Sequence, residues 1–165
     1  MMETPMDRID KILNHDLFLY HLGRNNAAEA DRRFCRHGMV HFLDVARIGT
    51  IIALEEGLKI DREWIYAAAL LHDCGKHEQY ENGTPHEQAS ARIAPEILKA
   101  CGFNDEETGV IVTAISRHRD PEAAKEKNLN GILYRADKAS RACFACDAKK
   151  DCNWKDGKKN LTIKY

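Results

Sequence analysis

His41, His72, His118 and Asp137 each stand on the apolar stripe of a different helical segment. One histidine in such a position is ordinarily a hydrogen-bonded core residue. Several joined by an aspartate are harder to dismiss, because ionised carboxylates are rarely buried unless paired or bound to metal. Converging imidazoles and carboxylates make a site for a first-row metal ion. The cation supplies the positive charge that a buried aspartate lacks, so each added ligand strengthens the metal reading.

The elements that carry these residues are legible from periodicity and caps. Gly38 precedes a helix in which His41, Val45, Ile48 and Ile52 recur at steps of four, three and four, and Gly57 closes it. Asp61 is an N-cap for the next helix, where Ile65, Ala68, Ala69 and His72 share a face and Gly75 breaks the pattern. Thr84-Pro85-His86-Glu87 reads as a helix start, with Thr84 as cap and Glu87 completing a capping box. Pro95 is expected to kink or divide that helix. Asn104 caps a helix with Ile111, Ala114, Ile115 and His118 on one side, ended by Asp120-Pro121. A last helix is expected from about Asn130 to Cys146, with Leu133, Ala136, Asp137 and Ser140 on its stripe. Before all of these, Arg8 to Ala30 has mixed helical periodicity. Nothing alternates as a strand would, which predicts an all-α fold.

A chain of 165 residues is long enough for one domain with a proper core and too short to expect two. Its 44% hydrophobic and 31% charged residues are ordinary globular usage, which excludes a disordered chain. A formal charge of −1 argues against a dedicated nucleic-acid binder. Asp7, Arg8, Asp10 and Lys11 interrupt any signal-peptide core, and the longest apolar run, Ile65 to Leu71, is far short of a membrane span. The expectation is a soluble, cytoplasmic protein without a membrane partner. Thiols are kept reduced there, so the six cysteines are not expected to form disulfides.

With these residues in place, Leu70-Leu71-His72-Asp73-Cys74-Gly75-Lys76 resembles the signature of the HD-domain superfamily of metal-dependent phosphohydrolases. His41-Phe42-Leu43-Asp44-Val45-Ala46-Arg47 resembles that family's first ligand helix, and Ala136-Asp137-Lys138 its closing aspartate. The resemblance spans about residues 35 to 142 and implies a single-domain helical bundle of the HD type. Residues 1–34 are then a helical segment packed on the core, and residues 143–165 a cysteine-containing C-terminal segment.

The resemblance implies that His41, His72, Asp73 and Asp137 hold a first metal. His86 and His118 match the members that carry two, with Asp73 bridging the ions. On spacing alone His86 is equally a surface histidine. The activity implied is cleavage of a phosphate ester or anhydride of a small metabolite or nucleotide by a metal-activated water, with Asp73 and Lys76 as catalytic residues and Lys76 contacting phosphate. Arg117, Arg119 and Lys138 flank ligand positions and read first as solvated surface charges. His37, four residues before His41, points near the site if the helix continues and elsewhere if Gly38 breaks it. A di-iron oxygenase of the same superfamily would have nearly the same ligands, and a nucleotide sensor that binds without turnover is the non-catalytic rival. Imidazole-rich coordination disfavours magnesium alone, leaving iron or manganese as the favoured ions.

Cys143, Cys146 and Cys152 form C-x2-C-x5-C, whose first pair has zinc-ligand spacing. Cys35 lies six residues before His41 and Cys143 six after Asp137. On antiparallel helices meeting at the metal, both steps lead the same way, by about 9 Å each. Cys35, Cys143, Cys146 and Cys152 are therefore expected to gather around a structural zinc or iron.

Overall fold

A computed structural model describes residues 6–165. It holds eight α-helices and no strand among those residues: α1 (Asp7–Leu13), α2 (Asp16–Ala28), α3 (Met39–Glu55), α4 (Arg62–Leu71), α5 (Lys76–Asn82), α6 (His86–Ala100), α7 (Asp105–Ser116) and α8 (Leu129–Ala139). Short 3-10 turns cover Pro121–Lys125, Cys143–Ala145 and Asp156–Lys158. The fold is all-α, as the periodicity predicted. No helix among the described residues is long and apolar enough to cross a membrane.

The core lies where α3 packs on α4 and α8, and where α7 packs on α6 and α8. Phe42, Leu70, Leu71, Ile97, Ile111, Ile115 and Ile132 are fully buried there. Burying side chains of this size stabilises by roughly 1.5–3 kcal/mol each, and Ile111 and Ile115 among them lie on a helical stripe read in the sequence. Asp61 caps α4 by accepting from the Glu63 amide, and Asn104 and Glu107 form a reciprocal capping box on α7. Glu107 also accepts from the Arg8 guanidinium, which reaches Glu63 as well and so ties α1 to α4 and α7.

Several boundaries differ from expectation. The N-terminal segment is two helices, because the chain breaks at Asn14 and His15 accepts from the Leu17 amide to start α2. Thr84 does not cap α6: its amide and hydroxyl both donate to the Asn82 side chain, Gly83 turns the backbone at φ 80°, and Pro85 occupies the cap position. No capping box forms at Glu87. Pro95 sits inside α6 without dividing it, since Ile93, Ala94, Ile97 and Leu98 bury the same helix on both sides. The α7 helix stops at Ser116, and Asp120 instead caps the following 3-10 turn. The α8 helix stops at Ala139 rather than reaching Cys146. There the Ser140 hydroxyl donates to the Asp137 carbonyl, and the Asn160 side-chain amide donates to the carbonyls of Lys138 and Arg141. Those bonds satisfy the free carbonyls of a helix end from outside the helix.

Candidate metal centre

Five elements deliver the donors. His41 projects from the first turn of α3 and Asp137 from the last turn of α8. His72 is the C-cap of α4, with Asp73 immediately after it. His86 opens α6, and His118 follows the C-cap of α7. They form two groups that share Asp73: His41, His72, Asp73 and Asp137 in one, Asp73, His86 and His118 in the other, each with donor atoms within 4.8 Å of one another.

The Asp73 carboxylate is divided between them. Its Oδ2 lies 3.2 Å from His41 Nε2 and 3.1 Å from His72 Nε2. Its Oδ1 lies 3.3 Å from both His86 Nε2 and His118 Nε2. Asp137 Oδ1 closes the first group at 3.2 Å from His41 Nε2 and 3.4 Å from His72 Nε2. Ligands about 2.1 Å from one ion stand about 3 Å apart at right angles, so these separations fit a common ion without rearrangement.

The four imidazoles present Nε2 to the centre and are anchored through Nδ1. His72 Nδ1 donates to the Ala69 carbonyl at 2.6 Å, and His118 Nδ1 to the Ile115 carbonyl at 2.7 Å. In both cases a histidine just past a helix end reaches back to a carbonyl three residues earlier, in the turn that leaves such groups free. His86 Nδ1 donates to Gln79 Oε1 at 2.7 Å, and His41 Nδ1 meets the Ser140 hydroxyl at 3.2 Å. A proton fixed on Nδ1 leaves Nε2 as the lone-pair donor, the arrangement that orients metal-ligating histidines.

The electrostatics call for positive charge. Burial disfavours ionised Asp73 and Asp137, yet the surrounding imidazoles hold both carboxyls well below the usual carboxylate range. Burial would lower His72, but Asp73 and Asp137 override it and lift the imidazole to about 10. Burial pushes His86 down to about 3 despite the attraction of Asp73. A proton on His72 thus offsets two buried carboxylates, a task a divalent cation performs better. Asp73 Oδ1, buried and without a hydrogen-bond partner, faces the second group. The cluster fits binding of divalent metal ions.

A cavity of about 530 Å³ opens over the centre, and Asp73, His86 and Asp137 reach it. Lys76 lines it, buried except for 8% of its surface, with Nζ 3.3 Å from His86 Nδ1. Burial lowers the Lys76 ammonium, and Asp73 partly offsets this. Arg32, Arg119, Lys138 and Arg141 line the same cavity, with Phe34 and Trp154. His37, left open by the sequence, is in the wall: Gly38 does break the helix, but Glu29 captures His37 through both its backbone amide, at 2.6 Å, and Nδ1, at 2.5 Å. Tyr80 donates to the same carboxylate at 2.6 Å.

The chain matches the HD domain over residues 38–142. It belongs to the HD domain family. The match runs from the N-cap of α3 to just past α8 and so contains all six donors. The chain is also 50% identical, over 97% of its length and all of the relative's, to an uncharacterized protein of Clostridium beijerinckii. No solved structure matches it.

Within this HD domain, all six residues expected as ligands come together. His86 is buried beside Asp73 rather than at the surface. Of the three cations read first as surface charges, Arg117 pairs outside the cavity with Asp120 and Glu126, while Arg119 and Lys138 line the cavity. Sequence reasoning placed Ser140 on the Asp137 stripe without a role, as it left Gln79, and it missed Arg32 and Arg141. The first two orient ligands through contacts that no local pattern announces, and the last two lie outside the helices. The cysteine expectation is corrected in its route. Cys35 precedes α3 and Cys143 follows the end of α8, so neither helical step of six residues exists.

Proposed function

We propose that this HD domain protein is a metal-dependent phosphohydrolase acting on a phosphate ester or anhydride of a small metabolite or nucleotide. The observation that carries the reading is the division of one buried carboxylate between two donor groups, Oδ2 to His41 and His72 and Oδ1 to His86 and His118. His41, His72, Asp73 and Asp137 would hold one ion, and Asp73, His86 and His118 the other. Bound divalent cations lower the pKa of water and offset the charge on phosphoryl oxygens. Imidazole-rich donors favour iron or manganese over magnesium.

The chain's own residues prepare the substrate end. Lys76 stands beside the second donor group, where its ammonium meets a phosphoryl oxygen and adds charge stabilisation in a secluded site. Arg32, Arg119, Lys138 and Arg141 ring the cavity and draw an anionic ligand toward the donors. The His/Asp cluster alone suits an oxygen-activating di-iron centre equally well. The cationic wall favours a phosphorylated substrate.

The test is metal content together with phosphate release from a panel of phosphorylated metabolites and nucleotides, on protein purified without chelators. Release by the native chain, abolished in Asp73→Ala and weakened in Lys76→Ala, is the expected result. Bound iron with no phosphate released from any compound would move the assignment to the oxygenase. A folded native chain without affinity for metal would end the catalytic reading.

A further inference from the structure

We propose that Cys35, Cys143, Cys146 and Cys152 form a second, structural site that binds zinc through four thiolates and clasps the C-terminal segment against the wall of the active cavity. The four residues span more than a hundred positions of sequence, yet all line one cavity of about 560 Å³. Burial pushes the Cys35 thiol up and Arg141 pulls it back. Negative charge on Cys143, Cys146 or Cys152 would push it up further.

The segment itself needs such a clasp. Residues 143–165 contain no α-helix, and their buried apolar side chains are Cys143 and Ala148, neither of them part of the main core. A stretch with so little to bury stays ordered only when something else holds it, and small units use metals or cross-links for this. Two backbone turns shape the segment around its cysteines. The Cys146 amide donates to the Cys143 carbonyl at 3.1 Å, a tight turn that brings the two ends of C-x2-C together, and the Cys152 amide donates to the Ala148 carbonyl at 3.0 Å. All six cysteines are free thiols.

Charge supports the same assignment. Four thiolates around Zn²⁺ leave a net negative charge that the surroundings must balance. Arg36, Arg141 and Lys149 line the cavity, beside Arg33 and Lys159, which pair with Asp151 and Asp156, and the carboxylates Glu29 and Asp44. The four sulfurs are not among the donor groups that already lie within 4.8 Å of one another. Binding requires the segments that carry them, all outside the α-helices, to bring them together.

The consequence reaches the active cavity. Phe34, Cys35, Arg141, Cys152 and Trp154 line both cavities, so an ion held by the cysteines fixes one wall of the other.

The experiment uses the full chain, stripped with chelator under reducing conditions and titrated with Co²⁺ alone, in the native protein and in a His72→Ala/Asp73→Ala variant. A thiolate-to-cobalt charge-transfer band whose final intensity corresponds to one cobalt per chain in both proteins is expected for a four-thiolate site. Cys143→Ser/Cys152→Ser should lose the band while still binding cobalt at the histidine centre. In parallel, Zn²⁺ should protect Cys35, Cys143, Cys146 and Cys152 of the native chain from alkylation, a readout that does not depend on any variant folding. Absence of both the band and the protection would overturn the proposal. So would a chain purified with a disulfide within this set, or with iron and inorganic sulfide bound to it. Neither the band nor the protection depends on phosphate release, so failure here and failure of the hydrolase reading are separable.

Discussion

Gly75 follows the His72-Asp73 pair at the start of α5, and a methyl group there has nowhere to go. A Cβ built on Gly75 would lie 2.7 Å from Ala89 Cβ and from the Ser90 backbone nitrogen, where ordinary contact begins at 3.4 Å. Gly75→Ala must therefore open the contact by about 0.7 Å. Two of the three nearest atoms are backbone of α6, so no side chain can swing aside, and either the helix or the turn after α4 has to move. The Gly75 amide, which donates to Ser90 Oγ at 2.9 Å, moves with it. Asp73 lies on one side of this contact and His86 on the other, and their donor atoms are 3.3 Å apart. Overpacking of this kind costs about 1–3 kcal/mol, and a displacement near 1 Å at a reacting centre costs about a hundredfold in rate. The variant should fold with a lowered melting temperature, keep the ion of the His41, His72, Asp73 and Asp137 group, and lose occupancy in the group of His86 and His118. Phosphate release should fall much further than stability does. Gly109→Ala is the control: nothing lies within 4 Å of its added Cβ. It sits on the exposed side of α7, where alanine should raise stability by up to about 1 kcal/mol. Elemental analysis, thermal unfolding and phosphate release on both variants decide the matter. A Gly75→Ala protein with native metal content and native activity would refute the claim that this contact sets the spacing of the two donor groups.

The divided carboxylate predicts unequal roles for the histidines. His118→Ala should release about one equivalent of metal and leave the other bound, because Asp137, His41 and His72 remain with Asp73. Loss of both ions in a folded variant would argue against two separable groups. Glu29 predicts a pH effect: burial opposes its ionisation, but hydrogen bonds from His37 and Tyr80 hold it at about 2, against an ordinary 4.5. A depressed carboxyl contributes stability that is fully present above its unfolded pKa and is lost as pH falls through the folded one, so the relevant window is from about 4.5 down to about 2. The shift corresponds to about 3 kcal/mol. Glu29→Gln should therefore lose less stability than the native chain across that window, as measured by urea unfolding at successive pH values. Parallel losses in the two proteins would show that Glu29 is not the group responsible.

The sequence by itself determined what depends on neighbours along the chain. Helix stripes, the Asp61 and Asn104 caps and the placement of His41 and Asp137 on inward faces follow from local backbone geometry and the cost of exposing apolar side chains. Asp73 and His86 came from the resemblance to the HD family, whereas four ligand candidates, His41, His72, His118 and Asp137, were legible for the same reason. Helix ends were less so, because the partner that settles an end often comes from elsewhere. Asn160 closes α8 from twenty-two residues away, whereas at α6 a competing local turn, with Thr84 donating to Asn82, replaced the expected cap. Only the tertiary structure decided that His86 is buried beside Asp73 and that one carboxylate faces two groups. The same holds for Gln79 and Ser140 orienting two of the rings, and for Arg32 and Arg141 joining the cavity wall. It also replaced a helical route from Cys35 and Cys143 with loops that meet around a shared cavity. Contacts between residues tens of positions apart leave no period or cap in the sequence. They are set by how the helices pack, since close-packed interiors fix each donor relative to all the others at once.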